Sequence, residues 1–88
     1  SGTWSSQALR GTTINAYKPA LDAECPVHMT LYAHTNKSEA SHAVMCFGYA
    51  QSISGKNYLF IMDGYNTNGM FIDPNYYPLI EGYKIKVN

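Results

Sequence analysis

The sequence is poor in charge and has no long apolar run. Six lysines and arginines are balanced by six acidic residues, which gives a formal net charge of zero. Nucleic-acid-binding domains present a basic patch, so this composition argues against a nucleic-acid partner. No apolar run approaches the roughly 18 residues of a membrane span, and no signal peptide is recognisable. A membrane partner is therefore not predicted.

Cysteine is also scarce. The two cysteines, Cys25 and Cys46, are too few for a disulfide framework. The 88 residues suit one small domain, 1–88, and a hydrophobic content of 45% argues against disorder. The first residue is Ser1, which favours a processed fragment. The sparse charge and the eight tyrosines favour an exported bacterial protein, secreted or held at the cell surface.

The order of elements predicts one short helix followed by an antiparallel meander. Residues 1–11 lack apolar periodicity and are predicted to form an irregular arm. The spacing of Ile14, Tyr17 and Leu21 predicts a helix of about two to three turns with Pro19 in its first turn. Strands are predicted at 26–33, 40–50, 58–63, 70–73 and 82–87. The apolar run 40–50 is typical of a central strand covered on both faces, and 82–87 of an edge strand.

The segment from His42 to Asp63 contains the residues best suited to catalysis. If Ala50 pairs with Asn57 across the intervening turn, Val44 lies opposite Asp63 and His42 one diagonal step away on the same face. Diagonal neighbours are about 7–8 Å apart at Cα. A carboxylate at that distance orients an imidazole, which then acts as a general base. A strand-end histidine beside a loop aspartate is the ordinary structural alternative.

Three stretches, LDAECPVHMTLYA, SHAVMCFGYA and YLFIMDGY, resemble the second half of papain-like cysteine peptidases (clan CA). The similarity is greatest to secreted staphopain-like peptidases and to bacteriocin-leader-processing peptidase domains, and it extends from Ile14 to Asp63. Two positions depart from the family pattern. Ser41 stands where glycine usually precedes the histidine, and Gly64 follows Asp63 where proline or a tryptophan motif is common.

The resemblance implies an α+β, papain-like fold, of which this chain is the β-rich half: a sheet of about four to five strands with one short helix. It implies that His42 is the catalytic histidine and that Asp63 orients it. The implied activity is hydrolysis of peptide or protein substrates by Cys-His-Asp chemistry, which needs no cofactor and no metal.

The nucleophile is not recognisable in the chain. Cys46 lies on the same predicted strand as His42, about 13 Å away, and is interpreted as a small buried hydrophobe. Cys25 precedes Pro26 and lacks the helix N-terminus that activates a thiol. Ser1, Ser5 and Ser6 lack a G-x-S-x-G context. The catalytic cysteine is therefore expected on an N-terminal half or partner chain, and the isolated chain is expected to be inactive.

Three other hypotheses remain open. The first is a non-catalytic papain-like module that binds or inhibits another protein. The second is a transglutaminase-like core, which uses the same order of Cys, His and Asp and also needs an upstream cysteine. The third is a metal site built from His28, His34 and His42, for which no further ligand has suitable spacing.

Overall fold

The computed structural model describes residues 3–38, 40–64 and 68–87. Six strands form one antiparallel sheet in the order β1-β6-β2-β3-β4-β5. The strands are β1 Trp4–Arg10, β2 Val27–Tyr32, β3 Ser41–Gln51, β4 Asn57–Met62, β5 Met70–Ile72 and β6 Leu79–Val87. The helix α1 spans Lys18–Asp22, and 3₁₀ turns lie at Ile14–Ala16 and Pro74–Tyr76.

The predicted α+β, papain-like fold with about four to five strands is wrong. Over the residues that the structure describes, the chain is a small β-rich domain in which six strands make up about half of the residues, with a single short helix. Pro19 lies in the first turn of α1, as predicted, but the helix has only five residues instead of two to three turns, and Ile14 belongs to the 3₁₀ turn before it. No helix among residues 3–38, 40–64 and 68–87 is long and apolar enough to cross a membrane.

The N-terminal segment is a strand, so the prediction of an irregular arm over 1–11 is wrong for Trp4–Arg10. This strand, β1, pairs along its length with β6, from Trp4 opposite Val87 to Arg10 opposite Glu81. An edge strand that is mostly exposed on both faces needs no apolar alternation, and among residues 5–10 only Leu9 packs against the core. Because β1 takes the edge, β6 lies inside the sheet rather than at its edge.

One face of the sheet carries the core, and we call it the core face. The α1 segment and the turn before it cover this face with four buried side chains, Ile14, Tyr17, Ala20 and Leu21. Tyr17 is fully buried, and its hydroxyl donates a hydrogen bond to the Gly11 carbonyl. A Cβ at Gly82 in β6 would come within 3.1 Å of the Tyr17 ring. Glycine at that position therefore lets the ring lie directly on the sheet.

The opposite face, here called the open face, carries the alternate side chains. In β2 the residues Val27, Met29 and Leu31 are buried, while His28 between them is exposed. In β3 the same alternation buries Val44 and leaves Met45 only half-buried. The prediction that 40–50 is covered on both faces is therefore wrong for the described part of the chain. Apolar side chains also occupy the open face, as Met45 does, so an apolar run does not require that both faces be covered.

Candidate functional site

His42 lies near the start of β3, where the core face ends. Its backbone pairs with Leu31 of β2, and Leu31 is buried. His42 therefore shares the face of Leu31 and Val44, one alternation beyond the buried part of the strand. Its side chain is 47% exposed. The backbone of His42 is thus held in the sheet, and its imidazole remains accessible from solvent.

Asp63 directly follows β4, and a β-bulge decides where it lies. At the hairpin end Ala50 pairs with Tyr58 rather than with Asn57, so the predicted register is wrong there by one residue. A bulge between Cys46 and Gly48 then shifts the register, and Met45 pairs with Met62. Continued by one residue, this register places Asp63 opposite Val44, as the sequence predicted. Without the bulge, Asp63 would face away from the imidazole.

The structure brings His42 and Asp63 together. The imidazole Nε2 lies 3.8 Å from the carboxylate Oδ2, and the Asp63 side chain is only 14% exposed. A hydrogen bond between these atoms would need about 3 Å, so a small movement of the ring completes it. Hydrogen bonds of this kind are often long before substrate binds. Because Nε2 faces the carboxylate, Nδ1 is the ring nitrogen suited to take a proton from a nucleophile.

Neither thiol lies where His42 can activate it. Cys46 is fully buried, and desolvation raises the pKa of its thiol to about 11. It is also four residues along β3 from His42, which is about 13 Å at strand rise. Cys25 lies just before β2, six residues from the backbone partner of His42, which corresponds to about 20 Å. Both sulfurs are therefore too far for proton transfer.

The serines considered as nucleophiles are also remote from His42. Ser5 and Ser6 belong to β1, which is separated from β3 by β6 and β2, a distance of about 14 Å across the sheet. Ser1 lies outside the described residues.

The three histidines do not converge on a metal site. His28 lies on the open face, His42 lies on the core face, and His34 is exposed in the connection between β2 and β3. Over residues 3–38, 40–64 and 68–87, no group of three His, Cys, Asp or Glu side chains is arranged to hold a metal ion.

A charged cluster on the open face was not predicted from the sequence. Glu81 of β6 accepts hydrogen bonds from Lys37 at 2.7 Å, from Tyr32 at 2.9 Å and from Arg10 at 2.6 Å. Lys37 belongs to the connection that leads into β3, so the cluster ties this connection to the open face, opposite the face that carries the His42 side chain. Its members are up to 71 residues apart, and only the strand order juxtaposes them.

The cluster predicts a specific loss of stability in acid. Hydrogen bonds from Lys37 and then from Tyr32 lower the pKa of Glu81 from 4.5 to about 2. The ionised carboxylate therefore stabilises the fold above pH 4.5, and this contribution is lost as the pH falls towards 2. Urea unfolding between pH 7 and pH 2 should show a smaller acid-induced loss for Glu81→Gln than for wild type. Lys37→Met should give an intermediate loss, and equal losses in all three proteins would contradict the assignment.

Comparison of the chain with known protein families, curated proteins and solved structures finds no match in any of the three.

Proposed function

We propose that this chain supplies the histidine and aspartate of a cysteine peptidase active site. The observation that carries the proposal is the pair formed by His42 Nε2 and Asp63 Oδ2 at 3.8 Å, with the imidazole half exposed and the carboxylate largely shielded. A shielded carboxylate orients the ring, and an accessible ring can meet a nucleophile. An ion pair that served stability alone would not need an accessible imidazole.

The chemistry follows from the positions of the ring nitrogens. Nδ1 of His42 accepts the proton of a cysteine thiol, and the thiolate adds to the carbonyl carbon of a peptide bond. His42 then returns the proton to the leaving amine as the C–N bond breaks, which leaves a thioester. Water, deprotonated by the same imidazole, hydrolyses the thioester. Asp63 keeps the Nε2 proton directed towards itself through both half-reactions.

The thiol in this proposal belongs to a segment outside the 88 residues, because Cys25 and Cys46 are too far from His42. That segment is an N-terminal half of the same polypeptide or a partner chain. The stretches that resemble papain-like peptidases form β2, β3 and β4, which build the site. Peptide or protein substrates and a secreted or cell-surface location are part of the same proposal.

The role of Asp63 can be tested in the isolated chain, since the test needs no nucleophile. At pH 9, where an imidazole is neutral, the ¹⁵N shifts of His42 report which nitrogen carries the proton. We expect the proton on Nε2 in wild type, and a mixture of the two tautomers in Asp63→Leu. Asp63→Asn keeps an oxygen acceptor and should stay close to wild type. If wild type and Asp63→Leu have the same tautomer populations, Asp63 does not orient the ring.

A non-catalytic binding module is the second candidate function. It is favoured by one observation: within the described residues, both thiols lie far from His42. If the chain is a non-catalytic binding module, no added polypeptide would turn it into a peptidase. His42→Ala would then leave its binding to other proteins unchanged.

A further inference from the structure

The strand β1 forms a long edge of the sheet. It has seven residues, and among the described strands it pairs only with β6. The pairing runs without a bulge, from Trp4 opposite Val87 to Arg10 opposite Glu81. The other edge strand, β5, has only three residues. Natural sheets blunt their edges with short strands, proline, lysine or bulges, and β1 has none of these features. Its edge therefore has the form that accepts a further strand.

Two hydrogen bonds show which backbone groups of β1 face away from β6. The N–H of Ile85 in β6 donates to the Pro26 carbonyl at 2.9 Å, and the N–H of Gly11 donates to the Ile80 carbonyl. Successive residues of a strand direct these groups to opposite sides. The odd-numbered residues of β1 therefore bond to β6. The even-numbered residues direct their N–H and C=O groups outward: Trp4, Ser6, Ala8 and Arg10.

Two lysines lie beside this edge. Lys86 and Lys84 of β6 are directly opposite Ser5 and Gln7 of β1. Lys84 also lies opposite the buried Val27 of β2, so both lysine side chains are on the core-face side. Within residues 3–38, 40–64 and 68–87, neither lysine forms an ion pair. Both positive charges are therefore available to a ligand at the edge.

The acidic residues of the neighbouring elements do not cancel these charges. Glu81 is the one acidic residue of β1 and β6, and it is bonded to Arg10 and Lys37 on the open face. Glu24 borders a depression together with Lys86, but it precedes β2 and so lies on the far side of β6. A strand added beyond β1 would be about 14 Å from β2. The edge is therefore positively charged on its core-face side.

The open-face side of the same edge offers an aromatic ring. Ala8 lies opposite Tyr83, which is 50% exposed. These two residues and the paired Arg10 and Glu81 line a depression of about 170 Å³. Because the Ala8 side chain is small, an aliphatic side chain of an added strand can enter the depression and contact the Tyr83 ring.

We infer that β1 binds an extended segment of another protein in which acidic and aliphatic residues alternate. The segment adds to the sheet through backbone hydrogen bonds to β1. Its acidic side chains lie two residues apart on one face, as Lys84 and Lys86 do, and this spacing is about 7 Å in both strands. About 10 Å separates the segment from β6, a distance that extended glutamate and lysine side chains span together. Its aliphatic side chains lie beside Tyr83.

Charge selects an acidic segment over a second copy of this chain. A twofold axis at the edge would pair β1 with its own copy and would bring a second pair of lysines to the same seam. The only charged residue of β1 is Arg10, so a copy supplies no acidic side chain to Lys84 or Lys86. A nucleic acid would neutralise the lysines, but it lacks the peptide groups that pair with a strand edge. The inference is independent of the catalytic role of His42, because β3 is three strands away from β1.

Fluorescence anisotropy with the whole 88-residue chain tests the inference. The probe is a labelled seven-residue peptide, blocked at both ends, in which glutamate and valine alternate. We expect a Kd of about 10–100 μM at low ionic strength. Ala8→Pro removes an outward N–H and should raise the Kd about 10-fold. Lys84→Gln combined with Lys86→Gln should raise it about fivefold. Lys56→Gln is the matched control, because Lys56 is paired with Asp73 at the opposite end of the sheet, and it should leave the Kd unchanged.

A second probe keeps the test valid should Ala8→Pro lose its native circular dichroism spectrum. The same peptide with N-methylated amides retains every side chain but cannot donate hydrogen bonds to the edge, and it should bind wild type at least about 10-fold more weakly.

Three results would overturn the inference. One is no binding of the glutamate–valine peptide up to about 1 mM. Another is equal affinity for the N-methylated peptide or for a peptide in which lysine replaces glutamate, since the backbone edge or the charge would then not select the ligand. A third is self-association of the chain that Ala8→Pro abolishes, which would make a second copy the occupant of the edge.

Discussion

Replacing His42 by alanine is expected to lower kcat/KM for peptide hydrolysis by about 10³-fold in the enzyme completed by its thiol-bearing segment. Without the imidazole, the thiol lacks a base and the leaving amine lacks a proton donor. His34→Ala is the matched control, because His34 is exposed in the connection between β2 and β3 and lies outside the proposed site. The measurement is steady-state cleavage of a quenched fluorescent peptide.

Substitutions of Asp63 should separate orientation from base chemistry in the same assay. Asp63→Leu removes the acceptor opposite Nε2 and should reduce kcat more than KM, since it disturbs the ring rather than substrate binding. Asp63→Asn should retain most of the activity because its carbonyl oxygen still accepts a hydrogen bond. Full activity in His42→Ala, or equal loss in His34→Ala, would contradict the assigned roles.

Tyr17→Ala is expected to destabilise the fold by about 3–5 kcal/mol, as large aromatic-to-alanine core substitutions do. Tyr17 is fully buried between α1 and the sheet, and burial raises the pKa of its hydroxyl to about 12. Domains of this size have a total stability of roughly 4–13 kcal/mol. The variant should therefore lose a large part of the stability of the domain and unfold at a lower urea concentration than wild type, as measured by urea titration followed by circular dichroism.

Two controls divide the Tyr17 effect into its parts. Tyr17→Phe keeps the ring but leaves the Gly11 carbonyl without its hydroxyl partner, at a cost of about 1 kcal/mol. Tyr76→Ala removes a tyrosine that is 82% exposed, and it should change stability by less than about 0.5 kcal/mol. A loss below about 1 kcal/mol in Tyr17→Ala would mean that the ring is not the centre of this core.

The strands whose apolar residues alternate or run together were predictable. The predicted segments 26–33, 40–50, 58–63 and 70–73 correspond to β2, β3, β4 and β5 within a few residues, because burial on the core face selects their side chains. The N-terminal strand was not predictable in this way. Apart from Leu9, the residues from Ser5 to Arg10 are exposed, and pairing with β6, about 70 residues away in sequence, makes this segment a strand.

The His42–Asp63 pair was predicted from a register that is only partly correct. Local pairing at the hairpin differs by one residue from the prediction, and the bulge at Phe47 restores the predicted register before Asp63 is reached. A bulge has a weak sequence signal here, namely Gly48 within an otherwise apolar strand. The Glu81 cluster has no such signal, since it depends on the position of β6 between β1 and β2.

Thiol alkylation mapped by peptide and measured from pH 5 to pH 9 tests the central claim most directly. In the isolated chain we expect Cys46 to react slowly, because of its buried thiol with a pKa of about 11, and we expect His42→Ala to change neither Cys25 nor Cys46. In the completed enzyme a third cysteine should react quickly at pH 5 and slow down in His42→Ala. Rapid reaction of Cys25 at pH 5 that depends on His42 would contradict the account, as would a completed enzyme in which no thiol responds to His42→Ala.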